Sequence, residues 1–174
     1  IPYRWADVEY GRKFLTKLWN AARLILSSLQ DYDPATESPK LELLDRWMLT
    51  KLSTLVKITT EAFESFQFSV AIDSTRNFVW HDLCDQYLEA AKYRLYAKDS
   101  ATAESRRAAQ FTLFHALDTV LRLLAPVCPH IADVLFSELW GDDIETKSVH
   151  SSAWPETRER FIDVESERQG TVLV

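Results

Sequence analysis

Arg12, Lys13, Lys17, Asn20, Arg23 and Leu24 are the residues of this chain whose types and spacing best suit chemistry. At about 100° per residue, Lys13, Lys17 and Asn20 fall on the helix face opposite Phe14, Leu15, Leu18, Ala21, Ala22, Ile25 and Leu29. Arg12 and Arg23 lie along one edge of that strip, and Leu24 sits inside it. Cations so placed neutralise phosphates, Asn offers a donor and an acceptor to a base edge, and an apolar side chain covers an unstacked base. The same spacing also reads as a solvated helix face with one stray leucine. Charge is unevenly spread: the first thirty residues hold five basic and two acidic side chains. The whole chain carries −6, so the remainder is strongly acidic. A basic patch on an acidic body suits one defined anionic ligand better than general coating of nucleic acid.

Other groupings lead nowhere catalytic. His81 can share a helix face with Cys84 or Asp85, but a structural zinc site needs about four ligands and nothing nearby completes a set. The expectation there is a hydrogen-bonded helix histidine above a buried thiol, with no metal. His115 with Asp118, and His130 with Asp133, have no serine or cysteine nucleophile in a recognisable context. Glu42 with Asp45, and Glu61 with Glu64, read as pairs of the kind helix surfaces produce freely. Trp5, Trp19, Trp47, Trp80, Trp140 and Trp154 are expected in core and interface packing rather than in a stacking platform. Gly11, Gly141 and Gly170 lie too far apart for a dinucleotide fingerprint or a P-loop. No catalytic site and no cofactor are therefore expected in this segment.

The elements that position the strip are helices. The pattern predicts an all-α fold, an antiparallel bundle of about five helices with a short irregular C-terminal extension. The first runs roughly from Val8 to Leu29 and stops before Asp31-Tyr32-Asp33-Pro34. The second spans about Leu41 to Glu64. A third, with Ser69 as N-cap, continues to about Tyr96. The fourth starts near Thr102 or Ala103 and carries Leu113, Phe114, Leu117, Val120, Leu121 and Leu124, the cleanest amphipathic spacing in the chain. The fifth opens at Pro129 and runs through His130 to Trp140, stopped by Gly141. Residues 1–156 are read as the bundle and 157–174 as an extension, a short helix or linker.

With 174 residues, 47% of them hydrophobic, the chain can bury a sizeable core as one domain. No apolar run approaches the ~18 residues of a membrane span, so no membrane partner is expected. Cys84 and Cys128 fall within apolar helical patterns, which points to free thiols and a cytoplasmic setting, a disulfide being the minor reading. The opening Ile1-Pro2, with Met48 the single methionine, reads as a piece of a longer polypeptide.

Several runs, taken in order, resemble the anticodon-binding domain of valyl-tRNA synthetases. Gly11-Arg12-Lys13-Phe14 through Lys17-Leu18-Trp19-Asn20-Ala21-Ala22-Arg23 is similar to its opening helix, and Leu44-Asp45-Arg46-Trp47-Met48-Leu49 to its second-helix start. Phe78-Val79-Trp80-His81-Asp82-Leu83-Cys84-Asp85-Gln86-Tyr87-Leu88-Glu89 resembles its third-helix signature. Leu124-Ala125-Pro126-Val127-Cys128-Pro129-His130-Ile131 resembles its helix break, and Ser148-Val149-His150-Ser151-Ser152-Ala153-Trp154-Pro155 its post-bundle segment.

The resemblance implies a segment of a larger ATP-dependent ligase that recognises the valine anticodon stem-loop of tRNA and cannot activate an amino acid alone. Its partners would be tRNA and the rest of the synthetase, with ATP used elsewhere in the parent. It carries anticodon contact to Lys17, Asn20, Arg23 and Leu24, with Arg12 and Lys13 as phosphate neighbours. Position 24, often aromatic in the family, is leucine here, which leaves apolar contact without ring stacking. Trp80, His81, Asp82 and Asp85 match the motif and are assigned to helix packing and capping. The alternatives are the same domain of an isoleucyl or leucyl sibling and a helical adaptor that binds protein.

Overall fold

The computed structural model describes residues 4–36, 38–96, 102–141, 148–158, 161–163, 165–166 and 168. Six α-helical segments and one long π-helical segment account for most of them: α1 (Trp5–Ser28), α2 (Leu43–Glu64), α3 (Phe68–Asn77), a π-helix (Phe78–Leu88), α4 (Glu89–Tyr96), α5 (Ala103–Leu124) and α6 (Pro129–Trp140). The third expected helix is thus one continuous rod, α3 to α4, with its middle wound by i→i+5 hydrogen bonds. No strand occurs among the described residues, and no described helix is long and apolar enough to cross a membrane.

Local sequence explains most boundaries. α2 opens on a capping box in which the Asp45 carboxylate accepts the Glu42 backbone N–H at 2.9 Å. α6 has Pro129 in its first turn and ends at Gly141, whose φ of 65° suits glycine. α1 begins a turn earlier than its apolar pattern suggests, with Arg4 paired to Asp7 at 2.9 Å. Ser69 is not an N-cap: Gln67 holds that position and forms no side-chain cap bond. The reason is the sharp reversal after α2, where Phe66 takes a φ of 59° and the Gln67 N–H returns to the Ala62 carbonyl at 2.7 Å. α3 starts immediately after it.

α5 is the central rod, packed against α1, α2, α3, α4 and α6. Its expected stripe is buried throughout, from Leu113 to Leu124. Leu18 and Ile25 of α1, Trp47, Met48 and Leu49 of α2, and Leu83 and Tyr87 of the π-helix complete the centre. Phe161 reaches the same core from the C-terminal extension, its carbonyl accepting the Thr50 hydroxyl at 2.8 Å. Asp163 beside it pairs with Arg46 at 3.0 Å. The described part of 157–174 therefore lies on α2, while residues 142–147 and most of the final stretch fall outside the described set.

Asp45 is not a surface carboxylate. It is fully buried, and Arg94 clamps it with Nη1 at 3.1 Å from Oδ2 and Nη2 at 2.5 Å from Oδ1. The Tyr87 hydroxyl donates to Oδ1 at 2.5 Å, and Glu42 approaches Arg94 at 3.0 Å. Asp45 meets Arg94 of α4 across the bundle, so its charge is matched there rather than by solvent. Burial and the adjacent carboxylate hold the Tyr87 hydroxyl well above its usual range, as a donor.

A second polar tie closes the end of α1. Arg106 pairs with Asp31 and donates to the Leu95 carbonyl at 3.1 Å, while the Gln110 amide reaches the Ser28 carbonyl at 2.7 Å and Asp31 at 2.8 Å. The Arg106 hydrogen bonds hold the Asp31 carboxyl down to about 2.

Two measurements test these ties. Asp45→Ala strands a buried guanidinium and is expected to cost about 3–5 kcal/mol in urea unfolding; a change below about 1 kcal/mol would contradict the clamp. A carboxyl whose folded pKa lies below its unfolded value stabilises above pH ~4 and loses that contribution as pH falls towards 2. Asp31→Asn should flatten thermal stability over that window, with only a modest loss at neutral pH because the pair is partly exposed.

Candidate nucleic-acid interface

The core direction of α1 runs through Leu18 and Ile25. Measured from it, Arg12, Asn20 and Arg23 point to the opposite side, and all three are exposed. Lys17 and Leu24 sit only about 90–110° from the core centre at 100° per residue, on the flank that faces the π-helix. Both are half-buried there, and Leu24 packs against the core cluster. The expected strip is therefore divided. Arg12, Lys13, Asn20 and Arg23 face outward, while Lys17 and Leu24 form its seam with the neighbouring rod.

Lys17 is committed within the chain. Its ammonium donates to Asp85 at 2.6 Å and stands 4.4 Å from the centre of the Trp80 ring. His81 completes the group, with Nδ1 at 3.3 Å from the second Asp85 oxygen. The Lys17 hydrogen bond lowers the Asp85 carboxyl below its ordinary value. Trp80 and Asp85 are five residues apart, which in a regular α-helix puts them about 140° from each other. The i→i+5 winding of Phe78–Leu88 brings both to one ammonium. Assigning these residues to packing and capping missed this, because a 100° wheel cannot show it. The surviving signal was Trp80 and Asp85 standing together in one motif.

The remaining cations differ in freedom. Arg12 approaches Glu9 at 3.5 Å, with both side chains largely exposed. Lys13 and Arg23 form no ion pair among the described residues. Arg23 is then the uncommitted cation nearest Asn20 and Leu24, and Lys13 marks the other end of the strip.

The remaining candidates resolve as structure. Cys84 is buried, and burial pushes its thiol up to about 11, so it stays protonated; Cys128 is half-buried and is also free. Asp82 lies 3.8 Å from Lys51, and burial raises its carboxyl above the ordinary range. Among the described residues no three His, Cys, Asp or Glu side chains gather as a metal site would require. Asp118 takes the Arg122 guanidinium at 3.0 Å and the Trp140 indole N–H at 2.9 Å. Asp133 accepts the Ser148 hydroxyl at 2.6 Å and the Val149 N–H at 3.1 Å. His115 packs edge-on to Phe111 at 4.4 Å. Of the tryptophans, Trp47 is core, whereas Trp5 and Trp19 on α1 and Trp154 after the bundle are exposed and do not pack in this core. Trp19 sits on the flank away from the π-helix, in a shallow apolar groove with Val8 and Leu15.

The family model for the anticodon-binding domain of tRNA ligase matches residues 45–174. That span begins after α1. Whole-chain relatives include the valine–tRNA ligase of Methanothermobacter thermautotrophicus, 44% identical over 100% of this chain and 19% of that protein. The valine–tRNA ligase of Thermococcus kodakarensis is 41% identical over 97% of this chain and 19% of its own length. The chain thus spans about a fifth of these relatives, and their alignments take in α1. Among solved structures, the ternary complex of an Agrobacterium radiobacter K84 LeuRS with tRNA and LeuAMS superposes with a TM-score of 0.67. The match covers 94% of this chain and 18% of that one at 19% identity, which shows a shared fold. The chain belongs to the anticodon-binding domain family of tRNA ligases.

Proposed function

We propose that this segment recognises the anticodon loop of a valine tRNA and serves a parent valine–tRNA ligase. ATP and amino-acid chemistry would then lie in the rest of that polypeptide, in the cytoplasm. The observation that carries the reading is the outward strip of α1. Arg23, exposed and without an ion pair among the described residues, stands beside Asn20 and the half-buried Leu24. The valine–tRNA ligase relatives, at 36–44% identity, support valine over its siblings. Arg23, Lys13 and Arg12 would neutralise loop phosphates, Asn20 would meet a base edge, and Leu24 would give apolar contact to a splayed base. Lys17 takes a different role. It reaches a phosphate only by sharing or leaving Asp85.

Fluorescence anisotropy with a valine anticodon stem-loop at low salt, beside a non-cognate loop, tests this. Arg23→Ala should weaken binding and reduce the slope of log K against log salt by about 0.7–0.9, the share of one phosphate contact. Lys17→Ala should weaken binding less. Equal binding of both loops, or binding untouched by Arg23→Ala, would refute the placement and favour the protein-adaptor reading. Asp85→Asn removes the countercharge of Lys17 and should strengthen binding about two- to fivefold, the scale of one exposed ion pair. That gain should vanish in a Lys17→Ala background; a gain that persists would show that Asp85 acts by repelling RNA directly.

A further inference from the structure

Beyond Leu24 the strip leads into a second feature. At about 100° per residue, Asn20, Leu24 and Ser27 share one side of α1, and the chain turns into Asp31 just past the helix end. There the surface opens into a cleft of about 740 Å³, lined by Asp31, Tyr32, Asp33, Tyr96, Arg106 and Arg107 among others. That volume falls within the usual range of ~300–1,000 Å³ for small-ligand sites.

Part of the cleft's lining is tied by hydrogen bonds and part is left uncommitted. Asp31 and the Leu95 carbonyl fix Arg106, and Gln110 ties the same carboxylate to the end of α1. The Tyr32 ring rests against Phe114 at 5.5 Å, and its hydroxyl has no hydrogen-bond partner among the described residues. Burial pushes that hydroxyl up to about 12, so it remains a donor. Among the described residues Arg107 makes no ion pair, and Tyr96 exposes 65% of its surface. One Asp33 oxygen accepts the Ala35 N–H at 2.8 Å, which leaves the other uncommitted.

The charge balance decides the ligand. Among the described residues two aspartates and two arginines line the cleft, so these side chains balance and are poor at holding a bare phosphate. An exposed ring beside uncommitted donors and an acceptor is instead the equipment for a flat, polar-edged heterocycle. We propose that the cleft receives one nucleobase turned out of the bound RNA loop, a reading that rests on the anticodon-loop function above. Tyr96 supplies the stacking face, Arg107 and the Tyr32 hydroxyl donate to the base edge, and Asp33 accepts from it.

The experiment is a titration of the same valine anticodon stem-loop, intact and with one loop base at a time replaced by an abasic site. The proteins are the chain itself, Tyr96→Ala, Tyr96→Phe, Arg107→Ala and Arg23→Ala, each checked for an unchanged melting transition. Tyr96→Ala should weaken the intact loop roughly 5- to 150-fold, the range for one stacked base, while Tyr96→Phe binds normally. The losses in Tyr96→Ala and Arg107→Ala should disappear together against one particular abasic loop, which a purely structural role would not produce. If Arg23→Ala weakens binding but both cleft variants bind like the unaltered chain, the cleft proposal is wrong and the anticodon reading stands. Losses spread equally over every abasic loop would also overturn it. Failure of the unaltered chain to bind any loop would remove both. Free nucleoside monophosphates run alongside: tight binding that Arg107→Ala abolishes, with RNA binding unaffected, would assign the cleft to a small molecule and refute the RNA reading.

Discussion

The arrangement of functional surface in this bundle depends on a carboxylate that never sees water. Asp45 fixes Arg94, and Arg94 sets the rotation of α4. With Ala91, Arg94 and Leu95 together on the inward side, Tyr93 and Tyr96 lie on the outward side, where both are found. Leu95, between them, offers its carbonyl to Arg106, and Arg106 in turn holds Asp31 at the end of α1. A chain of polar contacts thus runs from α2 through α4 and α5 to the far end of α1. Such a buried pair is weak evidence of net stability, because replacing both partners with apolar groups is often neutral. Its better-supported role here is orientation: an apolar substitute would fill the space without choosing which side of α4 faces solvent.

The same economy of charge explains why so few cations remain for a ligand. The described basic side chains are largely matched within the fold: Arg4 with Asp7, Arg46 with Asp163, Arg76 with Asp73, Lys92 with Glu89, Arg122 with Asp118. Most of these pairs are exposed and contribute little individually. Their effect is to mask positive charge across an acidic body; among the described residues Lys13 and Arg23 on α1, Lys40 before α2, Lys57 on α2 and Arg107 beside the cleft form no ion pair.

Much of this was legible in the residues. The α5 stripe, the Pro129 start and Gly141 stop of α6, and the core face of α1 follow from periodicity and capping chemistry that tertiary packing reinforces. What escaped had a common cause. The burial of Asp45, the engagement of Lys17 and the half-burial of Leu24 are all set by what stands opposite, and a helical wheel carries no information about the neighbour. The π-winding of Phe78–Leu88 escaped for a related reason. It changes the angular step itself, so residues that a regular wheel separates come to share one partner.

That winding also clarifies how the α1 strip can be both structural and available. Lys17 bridges α1 to the π-helix with a charge-assisted hydrogen bond and a ring contact, which fixes the flank on which Leu24 rests. Arg23 and Asn20, one step further round the helix, are left outward by the same rotation. The Trp80 ring still keeps the Lys17 ammonium at that seam when Asp85 is neutral, so loss of the countercharge releases positive charge without moving the flank. In this geometry the seam positions the strip, and the uncommitted side chains beside it are the ones placed to meet a ligand.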